Sequence, residues 1–345
     1  MGAWNTDSGA SIHAELIGRE WIKAGHRLSV FSFYEYSIHG TAITDKDEDY
    51  VTRCFTTSTH PQAKLNPIPF LKEDYEIFAV EDLGMLPQDS LGSIFHWIKK
   101  RAKTVTVIHD GRLSEDPSFY QFDWDAIIGF DERYMKFLRE GYPTELLHQI
   151  PYPCHPLHIR DKKAARRSLN LPIEKNILLM FGPSARTGVD TIPWIIKYSS
   201  SYPLLILVVS KDKEAIMKAR QYAHEIDIEI REETLTLRRL YDYLHSCEAL
   251  ILNKPSQPQV TVSSTVFQCL GSGCPIIARD SNFIENLHNE VLKFRYQNEF
   301  EYNLVEVLEQ REKYQKTIES AKHYVNENSA RKVAENLLKL FEFMK

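Results

Sequence analysis

SSTVFQCLGSGCPIIARDSNFIE, residues Ser263 to Glu285, is typical of a short helix, a glycine-rich turn and a buried strand, followed by the start of another helix. Hydroxyl side chains of the N-cap type precede an apolar helical spacing, and two glycines end the helix. The run Cys274 to Ala278 is short and apolar, as a parallel strand buried on both faces is. Arg279 and Asp280 follow at its carboxyl end, where ligands bind in open α/β sheets. The stretch predicts a parallel α/β domain that either holds a phosphate at the helix start or is an ordinary βαβ unit without a ligand.

The composition is that of a soluble globular protein. The 345 residues suffice for two domains, and 43% of them are hydrophobic and 26% charged. A formal net charge of −5 argues against a general nucleic-acid binder. No apolar run is long enough to span a membrane, and no signal peptide is visible after Met1. The five scattered cysteines form no CxxC pair, so neither a zinc site nor a disulfide framework is indicated, and we expect a reducing, cytoplasmic setting.

Apolar runs and helical patterns alternate along both halves of the chain. This alternation predicts two doubly wound domains with parallel sheets, and we expect a ligand cleft between them. We place the first domain at residues 1–156, the second at 157–325 and a C-terminal helical segment at 326–345. Only Met1 to Trp4 could form the first strand. We therefore expect that this strand is truncated or that the true start codon lies upstream.

Two candidate sites fall in the first half. Gly9 precedes the first predicted helix, where a glycine lets backbone approach a ligand and the helix start favours an anion. His109 and Asp110 follow the strand Thr104 to Ile108, and a histidine there can bond a sugar hydroxyl or move a proton near neutral pH. A simple capped turn and a structural histidine are the alternatives.

The candidates of the second half follow its strands. Arg186 lies in the loop after the strand Asn176 to Phe181 and could pair with a diphosphate, as could Lys211 after the next strand, although solvent-exposed loop residues are the alternative. Donors for a phosphate stand at the start of the stretch quoted above, and a glutamine one turn on can bond a ribose. These residues are Ser263, Ser264, Thr265 and Gln268.

Several of these segments resemble the retaining, nucleotide-sugar-dependent glycosyltransferases of the two-Rossmann-domain (GT-B) type, the glycogen synthase and phosphatidylinositol mannosyltransferase superfamily. DSGASIHAELIGREWIKAGHRLSVFS is similar to that family's opening glycine loop, first helix and second strand. VTVIHDG is similar to its strand ending in an active-site histidine, which matches His109, and ILLMFGPSARTGVD is similar to its strand and basic loop. VFQCLGSGCPIIARDSNFIE is similar to its donor segment, which ends in a glutamate that matches Glu285.

The resemblance implies a function as well as a fold. It implies two Rossmann-like domains facing across a cleft, with C-terminal helices returning to the first domain. It also implies a retaining, hexosyltransferase-type glycosyltransferase that takes a nucleoside diphosphate sugar and a glycan, lipid or protein acceptor. In this scheme Gly9, Arg186, Ser264 and Thr265 stabilise the leaving diphosphate, His109 contacts the transferred sugar and Gln268 holds the ribose. No metal or other cofactor is required.

The donor motif departs from the family's pattern. Two glutamates separated by seven residues are expected, and Val260 and Gln268 stand at those positions. A degenerate, non-catalytic paralogue that binds a nucleotide sugar or a protein partner is therefore the alternative function, and an epimerase of the same architecture is a further one. The basic helix Ile94 to Lys103 is expected either to be solvated or to contact the inner face of a membrane peripherally.

Overall fold

The structure, a computed structural model, describes residues 1–35, 43–44 and 46–344. The chain forms two compact units. Unit 1 comprises Met1–Pro153, Pro258–Ser264 and the residues from Ala330 onward, and unit 2 comprises Cys154–Gln257 and Thr265–Ser329. Within the described ranges, none of the helices has both the length and the apolar character that crossing a membrane requires.

Strands and helices are numbered in chain order. The strands are β1 (Val30–Phe33), β2 (Val51–Phe55), β3 (Ile77–Glu81), β4 (Lys103–Val107), β5 (Ala126–Gly129), β6 (Leu147–Gln149), β7 (Asn176–Phe181), β8 (Leu204–Val209), β9 (Ile228–Arg231), β10 (Ala249–Leu252), β11 (Ile276–Arg279) and β12 (Leu292–Phe294). The helices are α1 (Gly9–Lys23), α2 (Ile68–Lys72), α3 (Gln88–Lys99), α4 (Glu132–Gly141), α5 (Lys162–Ser168), α6 (Ala185–Gly188), α7 (Ile192–Ile196), α8 (Lys213–Gln221), α9 (Leu237–Ser246), α10 (Ser264–Leu270), α11 (Gln297–Leu308), α12 (Glu312–Glu327) and α13 (Ala330–Met344).

The strands of unit 1 are all parallel. They pair as β1–β2 and as β3–β4–β5–β6. Met1 and Gly2 connect the two groups, since the Gly2 amide donates to the Phe31 carbonyl (3.1 Å) and the Glu81 amide donates to the Met1 carbonyl (2.8 Å). Residues at the start of the chain thus lie where a first strand would pair, between β1 and β3.

Helix α13 packs against α1 within unit 1. The indole N–H of Trp21 donates to the Ala334 carbonyl at 3.1 Å, and the rings of Trp21 and Phe341 lie 5.7 Å apart. The apolar faces of two amphipathic helices therefore cover each other. The predicted return of the C-terminal helix to the first domain is confirmed.

Unit 2 is built on one parallel sheet in the order β12–β11–β10–β7–β8–β9. The order runs outward in both directions from β7 and β10, which is the doubly wound arrangement. Strands β8 and β10 are buried along their whole length, as apolar runs such as LLILVV and ALIL predict. Helices cover both faces of such a sheet, so the predicted class of parallel α/β structure is confirmed.

The sequence predicts the segment around Glu285 less well. The predicted second helix start after Asp280 is wrong, because turns follow β11. A short edge strand, β12, follows these turns. Leu292 and Phe294 are buried against the sheet, and the Asp280 amide donates to the Phe294 carbonyl at 2.8 Å. Three residues are too few to show an alternating pattern, so sheet pairing decides their conformation.

Candidate functional site

Three ionisable side chains meet at the carboxyl ends of β3 and β4 in unit 1. Glu81 ends β3, His109 lies just beyond β4, and His13 lies on α1. Nε2 of His109 lies 2.9 Å from Oε2 of Glu81, and Nδ1 of His13 lies 3.0 Å from the same oxygen. The exposed fraction of the side chain is 2% for His13, 12% for Glu81 and 11% for His109. We call this hydrogen-bonded group the His–Glu–His cluster.

The charges of the cluster follow from its hydrogen bonds. Burial alone would raise the pKa of Glu81, but the two imidazoles outweigh it and hold that pKa well below its usual range. Burial alone would lower the pKa of His109, but the hydrogen bond and charge of Glu81 raise it above the usual value. Burial lowers the pKa of His13 despite the same carboxylate. We infer that Glu81 is anionic, that His109 carries the compensating proton and that His13 is neutral.

Two further carboxylates flank the cluster. Asp82 follows Glu81 with a left-handed backbone (φ 60°). Burial raises the pKa of Asp82 to about 6. The negative charges of Asp110 and Glu81 also raise this pKa, whereas the charge of His109 lowers it. Asp110, a predicted catalytic residue, is exposed to solvent. A Cβ atom at Gly84 would lie 2.7 Å from Oδ2 of Asp110, so a larger residue there would displace this carboxylate. The surroundings of His109 are therefore strongly acidic.

Aromatic rings pack around the cluster. The ring of His13 lies 5.3 Å from both Phe130 and Tyr152, and that of His109 lies 5.1 Å from Phe130. The Tyr152 hydroxyl donates to the Gly9 carbonyl at 2.8 Å, which connects this wall to the start of α1. The rings fix both imidazoles while excluding water from their buried sides.

The starts of α1 and α10 carry the predicted phosphate donors. Helix α1 begins at Gly9, and the Ser8 side chain caps it by accepting from the Ser11 amide at 3.2 Å. A Cβ atom at position 9 would lie 3.4 Å from Oγ of Ser264, the first residue of α10. Unit 1 thus brings the predicted residues Gly9 and Ser264 together. Ser263 is buried, and Thr265 opens the part of α10 that belongs to unit 2.

Unit 2 carries the other predicted residues on separate elements. Arg186 lies on α6 after β7 and is ion-paired, with Nη2 2.5 Å from Oδ2 of Asp212 and Nε 3.5 Å from Oε2 of Glu214. Lys211 is exposed after β8, the strand next to β7 in the sheet, whereas Glu285 is exposed in the turns after β11. A diphosphate would have to compete with two carboxylates for Arg186, so its assigned role stays a prediction.

The sheet of unit 2 has its switch point between β7 and β10. Gly182 follows β7 with a left-handed backbone (φ 59°), and Asn253 follows β10. The Asn253 amide donates to the Thr187 carbonyl at 3.0 Å, whereas its Oδ1 is buried without a partner among the described residues. An unsatisfied acceptor at a switch point is a position where a ligand donor would bind. The sequence did not single out Asn253.

The two positions that replace the family's glutamates are held through their backbones. The Val260 amide donates to the Gly111 carbonyl at 3.1 Å. A Cβ atom at Gly111 would lie only 1.7 Å from the Val260 carbonyl oxygen. In unit 2, the backbone carbonyl of Gln268 accepts from the Tyr241 hydroxyl at 2.8 Å. The side chain of Gln268 is half-buried and does not take part in this bond. Val260 thus has a structural role, whereas the ribose role of Gln268 stays a prediction.

The His–Glu–His cluster also has the donor set of a metal centre. One donor atom from each residue lies within 4.8 Å of the others, and two imidazoles with a carboxylate are the protein ligands of many catalytic zinc sites. The same atoms satisfy one another by hydrogen bonds without an ion. The arrangement can therefore act as a proton-bearing network or bind a divalent cation.

Sequence reasoning predicted one member of the cluster and missed two. His109 was found because it follows a buried strand. Glu81 could have been predicted from its position at a strand end in the same way, because it ends the neighbouring strand β3. In the register of the two strands, Glu81 lies opposite Val107. His13 carries no comparable signal, because a histidine on an amphipathic helix is usually only packed. It lies on the second turn of α1, beyond the glycine loop.

No protein-family model matches the sequence. Solved structures with the same fold include a glycosyltransferase from Rickettsia africae, which is 13% identical with a TM-score of 0.66 and coverage of 100% of this chain and 97% of that one. Sucrose-phosphate synthase from Thermosynechococcus elongatus is 12% identical, with a TM-score of 0.65 and coverage of 98% and 94%. HepE from Anabaena, in complex with UDP-glucose, is 12% identical, with a TM-score of 0.65 and coverage of 99% and 98%.

These structures are GT-B glycosyltransferases, and the likeness extends over nearly the whole length of each chain. The chain therefore has the GT-B fold, and the fold that the sequence predicts is confirmed. At this level of identity the likeness concerns the fold, and the activity has to be argued from the residues.

Proposed function

We propose that this protein is a glycosyltransferase that moves a sugar from a nucleoside diphosphate sugar to an acceptor with retention of configuration. The observation that carries the proposal is the position of His109, which lies at the carboxyl end of β4 and is bonded to Glu81 at 2.9 Å. The fold supports it, because a protein of the same fold has been solved with UDP-glucose. A hexose is the sugar class that we propose for the donor.

His109 is proposed to contact the transferred sugar. Nε2 of His109 is hydrogen-bonded to Glu81, and Nδ1 of the same ring has no hydrogen-bond partner among the described residues. A protonated imidazole offers an N–H at Nδ1, which can donate to a sugar hydroxyl or to an oxygen on which negative charge develops. Glu81 is a positioning residue in this scheme, since it orients the ring and stabilises its positive charge.

The leaving diphosphate is proposed to be stabilised by helix starts. In unit 1, the backbone at Gly9 and the hydroxyl of Ser264 offer donors that no side chain at position 9 obstructs. For the residues of unit 2 we propose that Thr265, Arg186 and Lys211 bind phosphate and that the side chain of Gln268 bonds the ribose. Donors fixed before the reaction stabilise developing charge at little reorganisation cost. No metal is needed, because backbone amides and cations can neutralise the phosphates.

A non-catalytic binding protein is the second candidate. The observation that favours it is Val260, which stands where the family has a glutamate and binds Gly111 through its backbone. Valine cannot bond a sugar hydroxyl or stabilise a positive charge. A protein with this substitution would bind a nucleotide sugar without transferring the sugar.

A screen of purified protein against UDP-, GDP- and ADP-sugars separates these candidates. A ligand that binds only the native state raises the apparent melting temperature. The sugar nucleotide with the largest shift is then followed for nucleoside diphosphate release, alone and with glycan, lipid and protein acceptors, and NMR of the product gives its anomeric configuration. Release that depends on His109 supports an enzyme, and binding without release supports the second candidate.

The His109→Ala variant is the central control. We expect release to fall by roughly 10²-fold or more, while nucleotide binding is kept. His26→Ala, which changes an exposed histidine of unit 1, is expected to leave release unchanged. Equal loss in both variants, or none in either, would remove the role assigned to His109.

A peripheral contact with the inner face of a membrane is a narrower proposal. It rests on α3 and the basic residues after it, where Trp97 is 51% exposed and Nζ of Lys100 lies 4.7 Å from its ring. An exposed aromatic beside a cation suits an anionic surface. Sedimentation with anionic vesicles tests it, and Trp97→Ala is expected to weaken any binding.

A further inference from the structure

Unit 1 contains a pocket of about 330 Å³ beside the carboxyl end of β4. Three chain segments line it, namely the loop after β4, helix α4 and the segment that leads to α10. The lining residues are Gly111, Arg112, Arg133, Lys136, Phe137, Glu140, Pro258, Gln259 and Val260. This volume is within the range of small-molecule sites. Of the positions that the sequence singled out for the donor, Val260 lines the pocket, whereas the residues proposed for the diphosphate and the ribose do not.

The lining is positively charged. Three cations face it, Arg112, Arg133 and Lys136, against the single carboxylate of Glu140. Clustered cations in a concave surface raise the local concentration of anions. Their separate environments decide which of them can bind a ligand.

Arg133 is already engaged. Its Nη2 lies 2.7 Å from Oδ2 of Asp131 and donates to the Thr261 carbonyl at 3.1 Å. These bonds join α4 to the segment before α10 and fix one wall of the pocket. Asp131 also caps α4, so the ion pair is part of the fold.

Arg112 and Lys136 are not neutralised in this way. Both are exposed, and within the described part of the chain neither lies within 4.0 Å of a carboxylate oxygen. Arg112 interacts with the charge of Asp110 only at longer range. An incoming anion would therefore gain two cations without displacing an internal ion pair.

The pocket is continuous in sequence with the proposed catalytic residue. Gly111 and Arg112 follow His109 after one intervening residue, Asp110, and the Gly111 carbonyl accepts from the Val260 amide at 3.1 Å. The half-buried ring of Phe137 and the ring of Pro258 supply an apolar wall for a carbon skeleton. A ligand held here lies against the strand end that positions His109.

We propose that this pocket binds a phosphate ester carried by the acceptor, with Arg112 and Lys136 as its ligands. The proposal rests on the proposed function, because it names the substrate class of the same site. The phosphate ester is either a free small molecule or the headgroup of a lipid. Its negative charge fits the two cations, and its carbon skeleton fits Phe137.

Binding is measured by calorimetry on the full chain with inorganic phosphate and glycerol 3-phosphate, and by sedimentation with phosphatidylglycerol vesicles against phosphatidylcholine vesicles. The test variant is the double substitution Arg112→Gln and Lys136→Gln. Its matched control is Lys72→Gln with Arg167→Gln, which removes two exposed cations elsewhere. We expect the test variant to bind the phosphate ester at least about tenfold more weakly, since charge-assisted hydrogen bonds are lost, and the control to bind as the wild type does.

The comparison of the soluble probes with the vesicles identifies the source of the phosphate ester. Loss of glycerol 3-phosphate binding indicates a free ester, and loss confined to phosphatidylglycerol vesicles indicates a lipid headgroup. Equal binding by the wild type and the test variant, or binding of none of the probes, overturns the proposal.

Failure of the proposed function gives a different result. Binding needs no turnover, so an inactive protein that binds the ester through Arg112 and Lys136 supports the pocket and contradicts the transferase. An active protein that transfers to a neutral acceptor at the same rate with and without the two cations contradicts the pocket alone.

Discussion

Nε2 of His109 lies 2.9 Å from Oε2 of Glu81, and the two residues follow adjacent parallel strands at the same edge of the sheet. We infer that this bond favours the protonated form of a largely buried imidazole. Burial alone would lower the pKa of His109, and Glu81 reverses the direction of that shift. A strand-end carboxylate thus sets the charge of the proposed sugar-contacting residue.

The substitution Glu81→Gln should lower the pKa of His109 below its usual value. The amide keeps a hydrogen-bonding oxygen but removes the negative charge, so burial then decides the shift. NMR titration of the imidazole signals measures this directly. We also expect the pH above which activity falls to move down by the same amount. Glu20→Gln, which changes a residue on α1 outside the cluster, should leave the titration unchanged; an unaltered pKa in Glu81→Gln would contradict the assigned charges.

The substitution Asp82→Asn should stabilise the protein at neutral pH. The folded state binds the Asp82 proton more tightly than the unfolded state, because the pKa rises from 3.8 to about 6. Stability from this group is therefore present below the unfolded pKa and lost as pH rises through about 6. Asparagine removes this loss and tolerates the left-handed backbone.

The expected gain for Asp82→Asn is about 1–2 kcal/mol near neutral pH, discounted from the full shift for partial exposure. Urea unfolding at about pH 7.5 and about pH 4.5 should show a smaller gain at the lower pH. Asp89→Asn, an exposed control in the first turn of α3, should show no such pH dependence. A gain that is larger at low pH would mean that the sign of the Asp82 shift is wrong.

The sequence predicts most of the strands because their apolar runs are long and buried. The runs at β7, β8 and β10 predict those strands with the bounds that the structure has. It predicts His109 by the position of that residue after such a run. It does not predict the His–Glu–His cluster, because the neighbourhood of β3 and β4 depends on strand order, and His13 reaches the site only through the packing of α1. The switch point at Asn253 is missed for the same reason.

The substitution Gly111→Ala should separate the loop after β4 from the segment before α10. The added Cβ would lie 1.7 Å from the Val260 carbonyl oxygen. Both contacting groups belong to the backbone, so neither can move aside as the end of a flexible side chain could. We expect a loss of roughly 1–3 kcal/mol of stability, as in overpacked sites, together with loss of phosphate binding in the pocket.

Gly92→Ala is the control for Gly111→Ala. Position 92 lies in α3, and its added Cβ would meet only the end of the Gln121 side chain at 3.1 Å. Helix propensity favours alanine there. Urea midpoints for the two variants should therefore shift in opposite directions, and a wild-type midpoint in Gly111→Ala would show that the Val260 segment is not held as described.

Removal of divalent cations should leave activity and melting temperature unchanged. The donor atoms of the His–Glu–His cluster already bond one another, and a metal would have to displace the proton that Glu81 stabilises on His109. Dialysis against EDTA followed by assay of nucleoside diphosphate release measures this. Activity that falls on dialysis and returns with Zn²⁺ would instead identify the cluster as a metal centre, and His13→Phe would then abolish the recovery.

The substitution Thr265→Glu should weaken nucleotide binding at the start of α10. A carboxylate among the helix-start donors would repel the diphosphate that we assign there and compete for the same amides. Calorimetry with UDP should show a loss of about tenfold or more, equivalent to about 1.4 kcal/mol. Thr265→Ser keeps the hydroxyl and should bind as the wild type does, so a defect shared by both variants would indicate a packing role for the Thr265 methyl group. Unchanged affinity in Thr265→Glu would remove the phosphate role from α10 and leave the start of α1 at Gly9 as the remaining candidate.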